Sequence, residues 1–498
     1  MSQRVIIKIN FRGGIISPGV LYNLLVAATR ARIYYVSFGL RQQLLINMPV
    51  ETVSIMAGEL KRLGILYETD SDEYPNITSS YPAEEIFIHH TWLSEGVYKD
   101  IFDAIDYQPR LKINITDCNQ SFTPMLTGNI NWVASSSDQH FWHLFIRFPK
   151  TNKIFEWTET VYTNDVPRLS KEIEIAILEN AKDFYDNVNA KGELLFQKIK
   201  TEKYITKHPG KPANLPSFNL PYYEGLNRYN DKYWLGIYRR DELFSVAFLK
   251  DLCVLCLETK IGQLCSTPWK SLIIKGIEEK DKLAWNRLLE KHLVNMRHAA
   301  NELNFQVEEK CRDALRLKHY LVKELDEGDT RSFGLCIGIK TKRKSEIFSS
   351  ILIRRKPLLR FLGIDLFFVY DVLCAKDFNP NERTGFVFSG NNPRFLLAEQ
   401  LRQAISSYYS SKEAHKTSLT KCEPNHEREK KVEPVRKYVY QCKHCLSIYD
   451  PRIGDPENGI CADTSFESLP DSYSCYLCES PWSDFLQLEH AQLRLQSV

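Results

Sequence analysis

Runs in which every second residue is apolar alternate along the chain with longer runs in which apolar residues recur at helical spacing. In the first part of the chain this pattern predicts a strand, a helix, two strands and a second helix, at 5–9, 17–32, 33–38, 42–46 and 50–63. Ser17 is a favoured N-cap and Pro18 a favoured first helical residue, so the first helix is expected to begin there. Gly64 provides a usual end for the second helix.

The same order of elements returns from about residue 234. The second set is predicted at 234–240, 241–256, 263–265, 271–274 and 280–292. Each set indicates a split βαβ unit, which is half of a ferredoxin-like α+β fold. A longer mixed region follows each set, with its main predicted elements at 140–148 in the first region and at 332–340, 348–354, 363–370 and 394–408 in the second. The pattern therefore predicts an α+β body built by internal duplication.

A charged segment, 411–436, separates this body from the end of the chain. It contains almost no large apolar residues and is typical of a flexible linker. The net charge of +3 is unevenly distributed: 437–490 carries three Lys/Arg and nine Asp/Glu, hence −6, the linker carries +2, and the rest of the chain carries +7. An acidic module of this kind could dock on the basic body or on a basic partner, whereas the alternative is an ordinary solvated surface.

Length and composition predict several domains, and the cysteine content and the absence of targeting patterns predict an intracellular protein. The chain has 498 residues, of which 43% are hydrophobic, enough for more than one core. The beginning of the chain mixes charges into a strand pattern instead of showing a signal peptide, and no stretch is apolar enough for a membrane span. Thirteen scattered cysteines favour reduced thiols and a metal site over disulfides. We therefore expect a cytoplasmic protein without a membrane partner.

Four cysteines near the end of the chain form two Cys-x-x-Cys pairs, Cys442 with Cys445 and Cys475 with Cys478. The spacing lets one tight turn aim both sulfurs at one point, and two such turns can build a tetrahedral four-sulfur site for zinc or iron. The 29 residues between the pairs exceed the gap of roughly 15–20 residues that is usual for zinc ribbons. Spacing alone leaves both metals open.

The residues around these cysteines resemble rubredoxin over 437–490. The matching positions are Tyr440, Ile448–Pro451, Gly454–Pro456, Asn458–Ile460, Thr464, Phe466, Leu469, Pro470 and Phe485. The resemblance implies one iron ligated by Cys442, Cys445, Cys475 and Cys478, and electron transfer without change of ligands.

This segment departs from the rubredoxin pattern at four positions. They are Leu446 and Glu479 where the family usually has glycine, Tyr476 where it has proline, and Tyr473 where it has tryptophan. Such changes alter solvent access and hydrogen bonding to sulfur, and so the reduction potential.

The body resembles the nitrite and sulfite reductases that bind sirohaem. The matching stretches are 13–18, 40–46, 60–65, 75–77 and 262–277. The resemblance implies a duplicated α+β body of ferredoxin-like halves and reductase-like domains, followed by a small metal-bound β domain. The implied divisions are a ferredoxin-like half at 1–75, a reductase-like domain at 76–230, their second copies at 231–305 and 306–410, the linker at 411–436 and the rubredoxin-like domain at 437–490.

One departure from the reductases bears directly on activity. Their Cys-x5-Cys and Cys-x3-Cys motifs hold a four-iron cluster beside sirohaem, but here Cys118 has no partner at either spacing. Without those thiolates the usual electron route to sirohaem is missing, so no catalytic residue is predicted. The resemblance places the basic residues Arg41 and Lys270 near the carboxylates of sirohaem, where Arg–carboxylate pairing would bind an anion. The alternative for both is a structural or surface charge.

Three other groups of residues favour simpler interpretations. Cys253 and Cys256, with Cys265 nearby, lie in an apolar helical pattern that is typical of core packing. His140 and His143 alternate on a strand and so face opposite sides, and the adjacent pair 89–90 likewise cannot share a metal. The basic run at 340–356 has few aromatic residues, which favours a solvated hairpin or a docking face over nucleic-acid binding.

These observations support one leading hypothesis and two alternatives. The leading hypothesis is a non-enzymatic electron carrier whose body docks a redox partner, such as a nitrite or nitrate reductase. The first alternative is a divergent sirohaem nitrite or sulfite reductase with a fused rubredoxin donor. The second is a structural zinc ribbon on a scaffold.

Overall fold

The computed structural model describes residues 3–88, 91–199, 203–211, 213, 215–342, 347–361, 364–419, 438–444, 447–455, 458, 460, 461, 463–470, 473–475 and 480–489. The chain forms two compact units, 1–418 and 419–498, here called the body and the C-terminal unit. Within the described residues, no helix is both long and apolar enough to cross a membrane.

The described residues form eleven α-helices, all in the body apart from the end of the last: α1 Pro18–Arg30, α2 Val53–Arg62, α3 Glu95–Ala104, α4 Val166–Glu179, α5 Ala181–Phe184, α6 Gly192–Lys198, α7 Val246–Glu258, α8 Lys282–Lys291, α9 Ala300–Leu303, α10 Arg312–Glu327 and α11 Arg394–Leu419. The strands of the first half of the body are β1 Arg4–Ile9, β2 Ile15–Ile16, β3 Tyr35–Phe38, β4 Leu44–Pro49, β5 Glu68–Thr69, β6 Thr78–Ser79, β7 Ile113–Thr116, β8 Ile130–Ala134, β9 Phe141–Arg147, β10 Ile154–Glu156, β11 Thr160–Tyr162 and β12 Thr206–Lys207. The remaining strands are β13 Gly225–Tyr229, β14 Lys232–Ile237, β15 Phe244–Ser245, β16 Leu264–Ser266, β17 Leu272–Ile277, β18 Phe305–Val307, β19 Ile337–Lys340, β20 Ile351–Phe361, β21 Ile364–Ala375, β22 Gly385–Asn392, β23 Tyr438–Cys442, β24 Ile448–Tyr449 and β25 Phe485–Glu489.

The two ferredoxin-like halves exchange short strands. Their sheets have the orders β15-β3-β4-β1-β5 and β13-β14-β17-β16-β2, so each sheet takes one edge strand from the other copy. Each exchanged strand leads directly into a helix, α1 or α7, and these two helices pack together in a core that both copies share. The halves therefore fold as one unit with a shared core, because neither sheet is complete within its own stretch of sequence.

Close backbone approach at Gly14 accompanies this exchange. Gly14 has φ +77°, and a Cβ at this position would lie 2.5 Å from the carbonyl oxygen of Ser266 in the other copy. Only glycine tolerates both the left-handed backbone and that contact without strain. The Gly-Gly step before the predicted first helix thus has a structural reason.

The longer regions form two further sheets. One has seven strands in the order β12-β11-β9-β8-β7-β6 with β10 paired to β9, and the other follows the order β18-β19-β20-β21-β22. In both sheets two parallel pairings precede an antiparallel one, which repeats the duplication at the level of topology. Helices α10 and α11 contribute Leu317, Leu321, Leu397 and Leu401 to the core on the second sheet.

Most predicted elements of the body are present with shifted ends. The helix predicted at 241–256 begins only at Val246, because Ser245 is its N-cap and the preceding residues form the exchanged strand. The strand predicted at 332–340 is confined to Ile337–Lys340, and the last two predicted strands are longer, forming the hairpin of β20 and β21.

The predicted linker is partly helical. Helix α11 continues to Leu419, so 411–419 is a helix and not the flexible coil predicted for 411–436. Alternating polar and small residues at the end of α11 give little apolar periodicity, which is why the pattern did not reveal it. Residues 420–437 lie outside the described part of the chain. The other predicted domain boundaries stay predictions.

Candidate metal centre

The C-terminal unit contains a three-stranded antiparallel sheet in the order β24-β23-β25. Its core consists of four buried aromatic side chains, Tyr440, Tyr449, Phe466 and Tyr473. The rings of Tyr440 and Phe466 stack with their centroids 3.9 Å apart, while the other rings meet Phe466 or Tyr473 at steeper angles. A core this small leaves much of the stability of the unit to other interactions.

One cysteine of each pair lies in the described part of this unit. Cys442 ends β23 and is 0% exposed, and Cys475 is 1% exposed. The amide of Cys442 donates to the carbonyl of Ser447 (2.9 Å), and the amide of Cys475 donates in the same way to the carbonyl of Ser480 (2.8 Å). The two cysteine loops thus have the same backbone closure, as expected for two equivalent turns around one metal.

A side-chain contact joins the two loops. The hydroxyl oxygen of Ser447, in the first loop, lies 2.9 Å from the sulfur of Cys475, in the second. The Cys475 sulfur of the second loop thus touches the first loop, as a metal site shared by both loops requires. The other predicted ligands, Cys445 and Cys478, lie outside the described residues, as do Leu446, Tyr476 and Glu479. Among the described residues alone, no three His, Cys, Asp or Glu side chains form a metal-binding group.

Tyr473, which stands where rubredoxins usually have tryptophan, is held by a buried carboxylate. Its hydroxyl donates to Asp455 at 2.7 Å, and Asp455 is 5% exposed. The amide of Asn458 donates to Asp455 (3.0 Å) and to the carbonyl of Ser474 (3.1 Å). Burial and the Asp455 carboxylate raise the pKa of Tyr473 far above its ordinary value. This network connects the residues just before the second cysteine pair to the loop at Asp455.

We expect Tyr473→Phe to destabilise the C-terminal unit by about 1–3 kcal/mol, because it removes a hydrogen-bond donor from a buried carboxylate. Denaturant unfolding of the full-length protein, followed by the visible absorption of bound metal, measures the effect. Tyr438→Phe is the matched control, since Tyr438 is 45% exposed. Equal stability of the two variants would show that the Asp455 contact contributes nothing.

Arg41 and Lys270 lie at turns of the two copies but are not equivalent to each other. Gln42 and Lys270 share the left-handed backbone, with φ of 62° and 55°, and each closes the same kind of turn through its amide. Lys270 therefore corresponds to Gln42, and Trp269 corresponds to Arg41. The side chain of Gln42 is fully buried and donates to the carbonyls of Ser79 and Ser266, which ties the two copies together.

Both predicted anion-binding side chains are bound by groups of the protein itself. The guanidinium of Arg41 donates to the carbonyls of Asn76 (2.7 Å) and Ile113 (2.9 Å). The ammonium of Lys270 is 2.6 Å from the Glu242 carboxylate and 2.9 Å from the Val307 carbonyl, and Lys270 is 3% exposed. These contacts do not fit a pair of cations held ready for sirohaem carboxylates. Their cofactor-binding role remains a prediction.

The other sequence candidates have separate surroundings. Cys253 and Cys256 are fully buried in the core on α7, as the core-packing interpretation predicts, and burial raises the pKa of Cys253 to about 12. Cys118 is 8% exposed, and burial raises its pKa to about 12 as well. His143 is buried in β9, where burial lowers its pKa, whereas His140 precedes that strand. Residues 89 and 90 lie outside the described part of the chain.

A buried ionic group in the body was missed. Lys318 on α10 is 0% exposed, and its ammonium lies 3.0 Å from the carboxylate of Glu302 on α9. Lys318 also donates to the hydroxyl of Tyr238, which donates to Glu302 at 3.2 Å. The sequence could have indicated this buried lysine, because helical spacing places Lys318 on the face of α10 that carries the buried residues Ala314 and Leu321.

Comparison with known proteins identifies the C-terminal unit. Residues 439–485 match the rubredoxin family. Rubredoxin-2 of Chlorobaculum tepidum is 47% identical over 49 residues, which are 94% of that protein and 10% of this chain. The high molecular weight rubredoxin of Moorella thermoacetica is 39% identical over 61 residues, or 27% of its length and 12% of this chain.

The fold of the body is found in a solved structure. The NirA protein of Mycobacterium tuberculosis shares its fold with a TM-score of 0.59 and 14% sequence identity, over 82% of this chain and 81% of that one. At this identity the likeness shows the fold alone, and it confirms the fold expected for the body. For the C-terminal unit, the buried cysteines, the two equivalent loops and the 47% identity agree. Through residues 439–485, the chain belongs to the rubredoxin family.

Proposed function

We propose that the protein is an electron carrier whose C-terminal unit holds one iron through Cys442, Cys445, Cys475 and Cys478. The observation that carries the proposal is the pair of buried cysteines, Cys442 and Cys475, on equivalent loops within a rubredoxin domain. Bound iron would supply a one-electron couple at a site of four thiolates. The chain itself keeps the two described sulfurs away from bulk water and closes each loop with a backbone hydrogen bond.

We further propose that the body docks a redox partner and does not itself catalyse a reaction. Three observations support this. Cys118 has no partner cysteine at the spacing of the cluster motifs. Arg41 and Lys270 are occupied by acceptors of the protein. The net charge of −6 at 437–490 suits the C-terminal unit to a positively charged surface of that partner. A nitrite or nitrate reductase is the partner that the fold of the body suggests.

The iron proposal is tested on the purified full-length protein by metal analysis together with an optical spectrum. We expect about one iron per chain and visible absorption bands that dithionite bleaches and air restores, as for a single iron bound by four thiolates. A colourless protein with stoichiometric zinc would contradict it and favour the structural zinc alternative.

A divergent sirohaem reductase is the second candidate, favoured by the fold shared with NirA over 82% of the chain. Acid–acetone extraction of the same sample distinguishes the two candidates. Recovery of a tetrapyrrole, with nitrite or sulfite turnover by a reduced donor, would establish the enzyme. The carrier proposal expects neither.

A further inference from the structure

Ser447 places a hydroxyl group on a sulfur that we assign to the iron site. Its oxygen lies 2.9 Å from the Cys475 sulfur, and the Ser447 side chain is half-buried. The same residue accepts the Cys442 amide with its carbonyl, at 2.9 Å. Ser447 therefore interacts with a cysteine of each pair, and its backbone is held where the hydroxyl reaches the opposite loop.

The direction of this hydrogen bond depends on whether the Cys475 sulfur carries a proton. A thiol and a hydroxyl can each donate, but a thiolate bound to a metal carries no proton and can only accept. In the iron-loaded protein the Ser447 hydroxyl is therefore the donor. The bond is charge-assisted, and such bonds are stronger than those between neutral groups.

We propose that Ser447 is a positioning residue that raises the reduction potential of the iron by donating this hydrogen bond to Cys475. The proposal rests on the proposed function, since it requires iron at the four cysteines. Reduction transfers one electron from an external donor to ferric iron and gives ferrous iron, with no bond broken and no proton moved. The added negative charge spreads onto the sulfurs, so the hydroxyl stabilises the reduced site more than the oxidised one.

The test is redox titration of the full-length protein, dithionite against a mediator set, for wild type and Ser447→Ala. We expect the variant to shift the ferric–ferrous equilibrium toward ferric by about tenfold, which is about 59 mV for one electron. The charge-transfer bands of the oxidised protein should shift as well, because the energy of the Cys475 sulfur changes. Ser468→Ala is the matched control: its hydroxyl contacts Ser465 in the same unit, and both the potential and the spectrum should stay those of wild type.

A second pair of variants separates the loss of the hydroxyl group from a change in packing. Ser447→Thr and Ser447→Val have nearly the same shape, and only threonine keeps the hydroxyl. A higher potential for threonine supports the proposal even where the alanine variant fails to hold iron. Equal potentials for threonine and valine overturn it. Stoichiometric zinc in the wild-type protein would overturn both this proposal and the proposed function. A reversible iron couple whose reduction potential is the same in the Ser447 variants would overturn the proposal for Ser447 alone.

Discussion

Replacing Cys442 by serine is expected to abolish iron binding and to unfold the C-terminal unit, while the body keeps its own unfolding transition. Cys442 is 0% exposed, and among the described residues the core beside it consists of four buried aromatic side chains with three partly buried apolar ones, Ile460, Leu469 and Phe485. A metal bound only by the folded state supplies folding free energy, about 10–16 kcal/mol for zinc in small peptide domains. The apolar core formed by the described residues of the unit is too small to replace such a contribution.

Iron analysis, near-UV circular dichroism and limited proteolysis of the full-length variant measure this effect. Cys461→Ser is the matched control, because Cys461 is an exposed cysteine of the same unit outside the ligand set. We expect the control to keep about one iron per chain, the stoichiometry of a single-iron rubredoxin site, and the Cys442 variant to keep none. Retention of iron and of a folded unit by Cys442→Ser would exclude Cys442 as an essential ligand. The body has two large apolar cores of its own, so we expect its unfolding transition to be the same in both variants.

The second large effect is expected in the body, where Lys318→Met should lower the free energy of unfolding by about 3–5 kcal/mol. Lys318 and Glu302 have side chains that are 1% and 3% exposed, and their charged atoms are 3.0 Å apart. Removing the ammonium leaves the Glu302 carboxylate buried, and its remaining side-chain partners among the described residues are Arg240 (3.3 Å) and the Tyr238 hydroxyl. An incompletely compensated buried charge costs far more than the net contribution of an intact pair.

Denaturant unfolding followed by far-UV circular dichroism measures this change. Lys323→Met is the control on the same helix, since the Lys323 side chain is 72% exposed and its ion pair with Glu327 lies on the surface. The control should stay within about 0.5 kcal/mol of wild type. The double variant Lys318→Met with Glu302→Gln should recover part of the loss, because no charge is then left unpaired in the interior. A double variant less stable than Lys318→Met alone would contradict this account.

Local patterns in the chain were sufficient for much of the fold. Hydrophobic periods and turn residues reflect which side of each strand or helix is buried, so they located most of the elements in both copies. Errors gathered where tertiary contacts decide: Phe244 and Ser245 belong to a strand only because β3 of the other copy pairs with them. The helical end of α11 was missed because its sequence lacks an apolar face.

By itself, the sequence determined the rubredoxin unit and the duplicated α+β body. Metal ligation needs particular residue types at short spacing, and duplication leaves a repeated pattern, so both are written locally. Only the tertiary structure decided which distant groups meet: the hydroxyl of Ser447 on the sulfur of Cys475, Lys318 on Glu302, and the internal partners of Arg41 and Lys270. These contacts depend on how separate surfaces pack, because burial forces each polar group to find a partner among whichever groups the packing brings near.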